Sequence, residues 1–377
     1  MYYNFALTRF VSTIVVTMAV FAGAAAQTPT RPPVEEDEVI RVSSRLIVVP
    51  VSVVNANGDA VRGLNAGDFR LQEEGRVQAI DSVLPADAVP LEIGLVFDVS
   101  ASTDRMFKFQ QDTAAKFLRE VMRADDRATI YSIGIKPRLL VSRAPAHTAI
   151  EHVLAIPTER EKEPTAFFDS ISAAAEQLNT NAPAGRRKVI VVISDGEDNF
   201  SLGVQRARRE EERRTVEGRT TRANDDDLAE LRTMVVRAQQ RSKLTERARV
   251  LRGLQDADIV LYSINPAGSS YHLNEISIFG QENMQTFADE TGGTAFLPRF
   301  APIDTSDLYQ NANNSRRNTE ILERIFRQLT SELRAQYLVQ YYSDTDHSDG
   351  KFVRLSISLA NSAGNRIRAR QGYFVRN

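Results

Sequence analysis

Leu91-Glu92-Ile93-Gly94-Leu95-Val96-Phe97-Asp98-Val99-Ser100-Ala101-Ser102 is the stretch that decides how the chain is read. Apolar residues run almost unbroken from Leu91 to Phe97, as expected for a short strand buried on both faces of a parallel sheet. One carboxylate and two hydroxyls follow. Directly after them comes a helical pattern over 103–122, with Phe107, Ala114, Phe117 and Val121 near one face. In open α/β sheets, ligands bind at the carboxyl ends of the strands.

Working outward, strand patterns at 128–135, 188–193, 259–264 and 294–297 alternate with helical patterns at 165–178, 281–290 and 319–334. Residues 90–335 therefore read as a doubly wound, Rossmann-like α/β domain. A second strand, Val189 to Ile193, ends in Ser194-Asp195-Gly196-Glu197-Asp198, and Pro164-Thr165 opens a helix with a hydroxyl. Two strand ends and one helix start can meet at a single point. Asp98, Ser100, Ser102, Thr165 and Asp195 are then candidate metal ligands. Oxygen donors without nitrogen or sulfur specify a hard cation, Mg²⁺ first, with Mn²⁺ or Ca²⁺ as alternatives. Hydroxyls complete a coordination shell without neutralising the ion, so it keeps its pull on an incoming anionic oxygen. Taken singly, Ser102 or Thr103 reads equally well as a helix N-cap. Asp169, Glu197 and Asp198 add nearby carboxylates, either supporting the site or simply exposed.

The flanks have a different character. Residues 45–89 carry β patterns, including the run Leu46 to Val54 and the turn pair Asn57-Gly58. Residues 336–377 do the same: Val353, Leu355, Ile357 and Leu359 alternate with Arg354, Ser356 and Ser358. Each flank has too few strands to bury a core alone. The expectation is that the N- and C-terminal β segments form one β-sandwich, with the α/β domain inserted between them. Residues 201–253 break the strand–helix rhythm as a charged helical insertion. Arg206, Arg208, Arg209, Arg213 and Arg214 are interleaved there with Glu210, Glu211, Glu212 and Glu217, and Leu228, Leu231, Val235 and Ala238 form one narrow stripe. It reads as a solvated hairpin or, more sharply, as a partner-docking arm.

Residues 1–26 read as a signal peptide: Arg9, an apolar run from Phe10 to Gly23, then Ala24-Ala25-Ala26. The run is short against the roughly 20 residues needed to span a bilayer, although an uncleaved anchor is the alternative. Residues 27–44, rich in proline and acid, read as a flexible leader. No other stretch is apolar enough to span a membrane, so the expected location of the mature chain is periplasmic or extracellular.

Of 377 residues, 47 are basic and 49 acidic, a balance that gives no whole-chain field for nucleic acid or anionic lipid. The absence of cysteine excludes disulfides, thiolate metal sites and cysteine nucleophiles. His147, His152, His272 and His347 are scattered, and the first two read as ordinary surface or loop residues.

Asp98-Val99-Ser100-Ala101-Ser102, then Thr165, then Asp195-Gly196, in this order and on these elements, resemble the von Willebrand factor type A domain with its metal-ion-dependent adhesion site. Gly67-Asp68-Phe69, Glu74-Gly75, Thr291-Gly292-Gly293, Gln336-Tyr337-Leu338 and Gln371-Gly372-Tyr373 extend the resemblance to a bacterial exported subfamily. The resemblance implies that Asp98 and Asp195 hold the metal, partly through water. Ser100 and Ser102 would coordinate it directly, and Thr165 would join when ligand binds. A protein partner would supply an Asp or Glu carboxylate to the open position. Pro164 departs from the glycine often found there and restricts that loop.

No GxSxG elbow, GxxxxGK[ST] loop or HExxH motif is present, so no enzyme is expected. The nearest enzymatic alternative, an Asp-based phosphohydrolase, needs a general acid where this chain has Ser100. A third reading is a structural or assembly module in which the metal only staples loops.

Overall fold

A computed structural model of the protein describes residues 45–99, 105–157, 164–217, 225–265, 275–301 and 307–375. The signal and leader expectations fall on residues 1–44, outside the described residues.

The continuous apolar run becomes β5 (Leu91–Asp98), buried along its whole length in the centre of a six-stranded sheet. On one side it pairs in parallel with β6 (Arg127–Ile133), on the other with β8 (Arg187–Ile193). Beyond β8 lie β9 (Ile259–Ile264) and β10 (Ala295–Phe296), both parallel. Beyond β6, β7 (Arg138–Ala144) closes the edge antiparallel. Its residues are mostly exposed or half-buried, a pattern too weak to mark a strand in the sequence.

Helices cover both faces. One carries α1 (Arg105–Val121), α2 (Ala146–Leu154) and α7 (Leu308–Arg334), whose Phe107, Phe117, Val153, Phe326 and Leu329 pack under the sheet. The other carries α3 (Phe167–Asn181), α5 (Asp225–Asp256) and α6 (Glu275–Thr291), contributing Phe168, Ile171, Leu254, Met284 and Phe287. This is the doubly wound arrangement expected from the alternation.

The segment set apart at 201–253 divides in two. α4 (Leu202–Glu217) and the first turns of α5 form a charged hairpin, with Arg208–Glu212 and Arg214–Glu210 pairs one turn apart. The last turns of α5 are instead the crossover helix between β8 and β9, with Val250, Leu254 and Ala257 buried in the core. Arginines and glutamates crowd that apolar face, which hides its helical period in the sequence. Of the stripe read there, Ala238 is buried and Val235 half-buried, while the side chains of Leu228 and Leu231 lie outside the described residues.

The β segments on either side of the α/β domain together build the β-sandwich. β11 (Tyr337–Ser343) lies between β1 (Arg45–Val54) and β4 (Ile80–Pro85), and β13 (Arg366–Ala369) extends the sheet beside β1. The facing sheet is β14 (Gly372–Phe374), β12 (Phe352–Leu359), β2 (Phe69–Glu73) and β3 (Arg76–Gln78). Val49, Val51, Leu71, Val339, Tyr341 and Val353, none of them exposed, form the core between the sheets. One carboxylate sits inside it. Glu73 accepts hydrogen bonds from Tyr341 Oη at 2.6 Å and Ser343 Oγ at 2.8 Å, and His347 Nε2 lies 2.8 Å away. His347 is thus part of the sandwich interior. Burial and the Glu73 bond push the Tyr341 phenol far above its ordinary range.

Ending the chain at Arg334 removes β11 from between β1 and β4. Limited proteolysis is expected to cut residues 45–85 rapidly in that truncated protein and to spare them in the full chain.

Candidate metal centre

The strand register places the two aspartates. Phe97 is opposite Ile193 in the β5–β8 pair, so Asp98 and the Ser194-Asp195 step emerge side by side at the carboxyl edge. Ser194, fully buried, donates its hydroxyl to Asp98 Oδ2 at 2.7 Å and accepts from the Gly196 N–H at 3.0 Å. It is the physical link between the two strand ends. Asp195 Oδ1 takes the Glu197 N–H at 3.0 Å, which closes a tight turn.

That turn needs glycine. Gly196 has φ +77°, and a Cβ there would stand 2.2 Å from the Gly280 carbonyl oxygen of α6. Conversely, a Cβ on Gly280 would meet the Asp195 carbonyl at 2.6 Å. Asn283 Nδ2 donates to the Gly196 carbonyl at 3.2 Å, and Ser277 Oγ donates to Glu197 Oε1 at 2.6 Å. The loop bearing Asp195 is therefore pressed backbone-to-backbone on a helix.

Thr165 lies just ahead of α3, not within its first turn. Its N–H donates to Asn199 Oδ1 at 2.7 Å, and its carbonyl accepts from the N–H groups of Asn199 and Phe200, both at 3.0 Å. The N-cap position is Ala166, which has no capping side chain, and the cap comes from outside the helix. Asp198 Oδ2 accepts the Phe168 N–H at 2.9 Å, and Ser201 Oγ accepts the Asp169 N–H at 3.1 Å. Ser201 in turn donates its hydroxyl to Asp198, and Asp169 Oδ2 accepts the Leu202 N–H at 2.8 Å. Asp198 and Asp169 thus hold the loop that follows β8 against the start of α3, while Glu197 is tied to α6. The sequence reading passed over Ser194, Asn199 and Ser201. Asp198-Asn199-Phe200-Ser201 ahead of a helix is rich in the short polar side chains that cap helices, which marks Asn199 and Ser201, whereas nothing local marks Ser194.

Asp98 and Thr165 are buried and Asp195 half-buried; Ser100 and Ser102 fall outside the described residues. Burial first, then the neighbouring Asp98 charge, pushes the Asp195 carboxyl up to about 6. Burial also raises Asp198 and lowers Lys243, the α5 lysine that faces Asp198 and Glu197. Among the described residues no three His, Cys, Asp or Glu side chains are grouped to hold a metal. An ion here would depend on two carboxylates completed by hydroxyls. That donor set fits a hard divalent cation, whose charge would reverse the penalty Asp195 carries.

The strand order β10-β9-β8-β5-β6-β7, Asp98 ending β5 and Asp195-Gly196 following β8 make the central domain resemble a von Willebrand factor type A domain. Among solved structures the chain is similar to a von Willebrand factor type A protein from Catenulispora acidiphila, at 11% identity and TM-score 0.40, covering 88% of this chain and 74% of that one. It is similar to an aerotolerance-related membrane protein from Bacteroides fragilis, at 14% and 0.33, covering 62% and 99%. A third is proximal thread matrix protein 1 of the mussel byssus with a zinc-occupied MIDAS motif, at 10% and 0.38, covering 69% of this chain and 50% of that one. No family model and no curated protein matches the sequence.

Two outcomes are expected. Gly196→Ala should lower stability by about 2 kcal/mol or more in denaturant unfolding, because the left-handed turn and the Gly280 carbonyl both refuse a Cβ. In EDTA, the folded protein holds the Asp195 proton up to about pH 6, whereas the carboxyl ordinarily releases it near 3.8. Asp195 then weakens the fold as pH rises between those values, by up to about 3 kcal/mol, and Asp195→Asn should remove that slope.

Proposed function

We propose that this is an exported, non-catalytic binding protein. Asp98, Ser100, Ser102, Thr165 and Asp195 hold a divalent cation, Mg²⁺ first, and the cation takes a carboxylate from an Asp or Glu of a protein partner. The observation that carries the reading is the adjacency of Asp98 and Asp195 at neighbouring strand ends, bridged by Ser194 and electrostatically coupled. A cation there supplies Lewis acidity toward an anionic oxygen. The chain's own groups orient the aspartates through Ser194 and Gly196 and hold the Thr165 loop through Asn199.

Binding is favoured over a loop-stapling role because two of the contributing loops are joined by their own hydrogen bonds. The Thr165 segment and residues 198–202 are held together by direct hydrogen bonds. No further ion is needed to close them. Among the described residues no helix is long and apolar enough to cross a membrane, which is compatible with export.

Calorimetric titration with MgCl₂ and MnCl₂ is expected to show one site, lost in Asp98→Ala with the circular dichroism unchanged. Crosslinking in native extracts followed by mass spectrometry should capture a partner in Mg²⁺ and lose it in EDTA or with Asp98→Ala. If EDTA instead lowers the melting temperature while crosslinks persist, the metal is a staple and the proposal fails.

A further inference from the structure

At the amino ends of β8 and β9, the edge of the sheet opposite Asp98 and Asp195, a cavity of about 380 Å³ opens between the α/β domain and the sandwich. Its apolar wall comes from Val89, Val189 and Ile259 on one side and Val48, Pro50 and Leu338 on the other. Arg186, Arg187, Lys188 and Arg370 also line it, with Asp258 as the one carboxylate among the described residues. A space of this size, largely apolar with a few convergent polar groups, has the build of a small-molecule site, typically about 300–1,000 Å³.

The charges around it do not balance evenly. Arg186 is matched by Glu92 at 2.7 Å, and Glu92 is shared with Arg143 at 2.9 Å. Arg370 is paired with Asp258, yet its buried Nε has no hydrogen-bond partner. Asp126 is committed to Arg334, and Asp87 to Arg123 at 3.3 Å. Among the described residues Arg187 has no carboxylate in contact, and Asp126 and Asp87 act on it only at longer range. It is only 8% exposed, and its guanidinium meets neutral oxygens alone: Ala86 O at 2.8 Å, Leu333 O at 2.9 Å and Gln336 Oε1 at 2.7 Å. Burial holds it at about 10, below the ordinary arginine range. A buried cation with no anion in contact is costly, and removal from water strengthens its attraction for one.

We propose that this interdomain cavity binds a small organic anion, an apolar chain ending in one carboxylate, with the head group toward Arg187 and Arg370 and the chain along the valine-rich walls. The alternative, that Arg187 serves only as a tie between the domains, predicts no ligand. The proposal is independent of the metal centre, which lies at the far end of the strands.

The probe is sodium decanoate, with decanol and sodium acetate as controls, measured on the full chain by calorimetry and thermal shift in EDTA. Decanoate is expected to bind saturably and raise the melting temperature, with decanol and acetate each weaker by about tenfold or more. Val89→Trp and Gln340→Trp fill the cavity from its two sides and leave all three arginines in place. With the fold verified by circular dichroism, each should weaken decanoate by a similar factor. Absence of saturable binding, equal binding of decanol, or undiminished binding by both filled variants would overturn the proposal.

Discussion

The parallel pairing of β5 with β8 is the constraint on which the rest of the molecule depends. Because Phe97 is opposite Ile193, two acidic side chains leave the sheet from neighbouring strands at the same edge. A slip of one residue would turn Asp98 to the opposite face and leave Asp195 without a neighbour. The continuous apolar character of both strands permits many registers. What selects this one is the contact at each end: Ser194 on Asp98 at the carboxyl edge, and Arg187 reaching Ala86, Leu333 and Gln336 at the amino edge.

The Asp195 loop and the Thr165 segment are held by groups outside the candidate ligands. Gly196 and Gly280 let a loop and a helix touch through their backbones, and Asp198, Asn199 and Ser201 lock that loop to the segment carrying Thr165. The same loop runs directly into α4, so any displacement of Thr165 must be shared with the charged hairpin. Lys243, set against Asp198 and Glu197, ties α5 electrostatically to that corner. Pro164 stiffens one border of the unit.

Much of the architecture could be read from residue patterns, because β5, β8 and β9 are buried on both faces and show it as unbroken apolar runs. The alternation in β12, with Val353 and Leu355 inside and Arg354 and Ser356 outside, was equally plain. β7 and α2 escaped notice, since an exposed edge strand and a nine-residue helix carry little periodic signal. The crossover role of α5 was hidden because few apolar residues on a long charged helix suffice for packing. At the candidate metal centre the motif marks the candidate ligands, yet nothing local announces Gly280 or Asn283. Their importance arises from a helix approaching across sequence distance, a tertiary fact that no short pattern encodes.

The sandwich has a consequence for how the protein reaches its native state. β1 pairs with β11 and β13, so Val49 waits for Val339, and Val53 for Ile367. Contacts this remote carry a large chain-closure entropy and form slowly. During vectorial synthesis β1 emerges with its apolar face uncovered and stays so until residues 337–343 and 366–369 have appeared. Residues 45–54 therefore wait as an unpaired apolar edge through that interval, and β11 and β13 act as the latch that ends it.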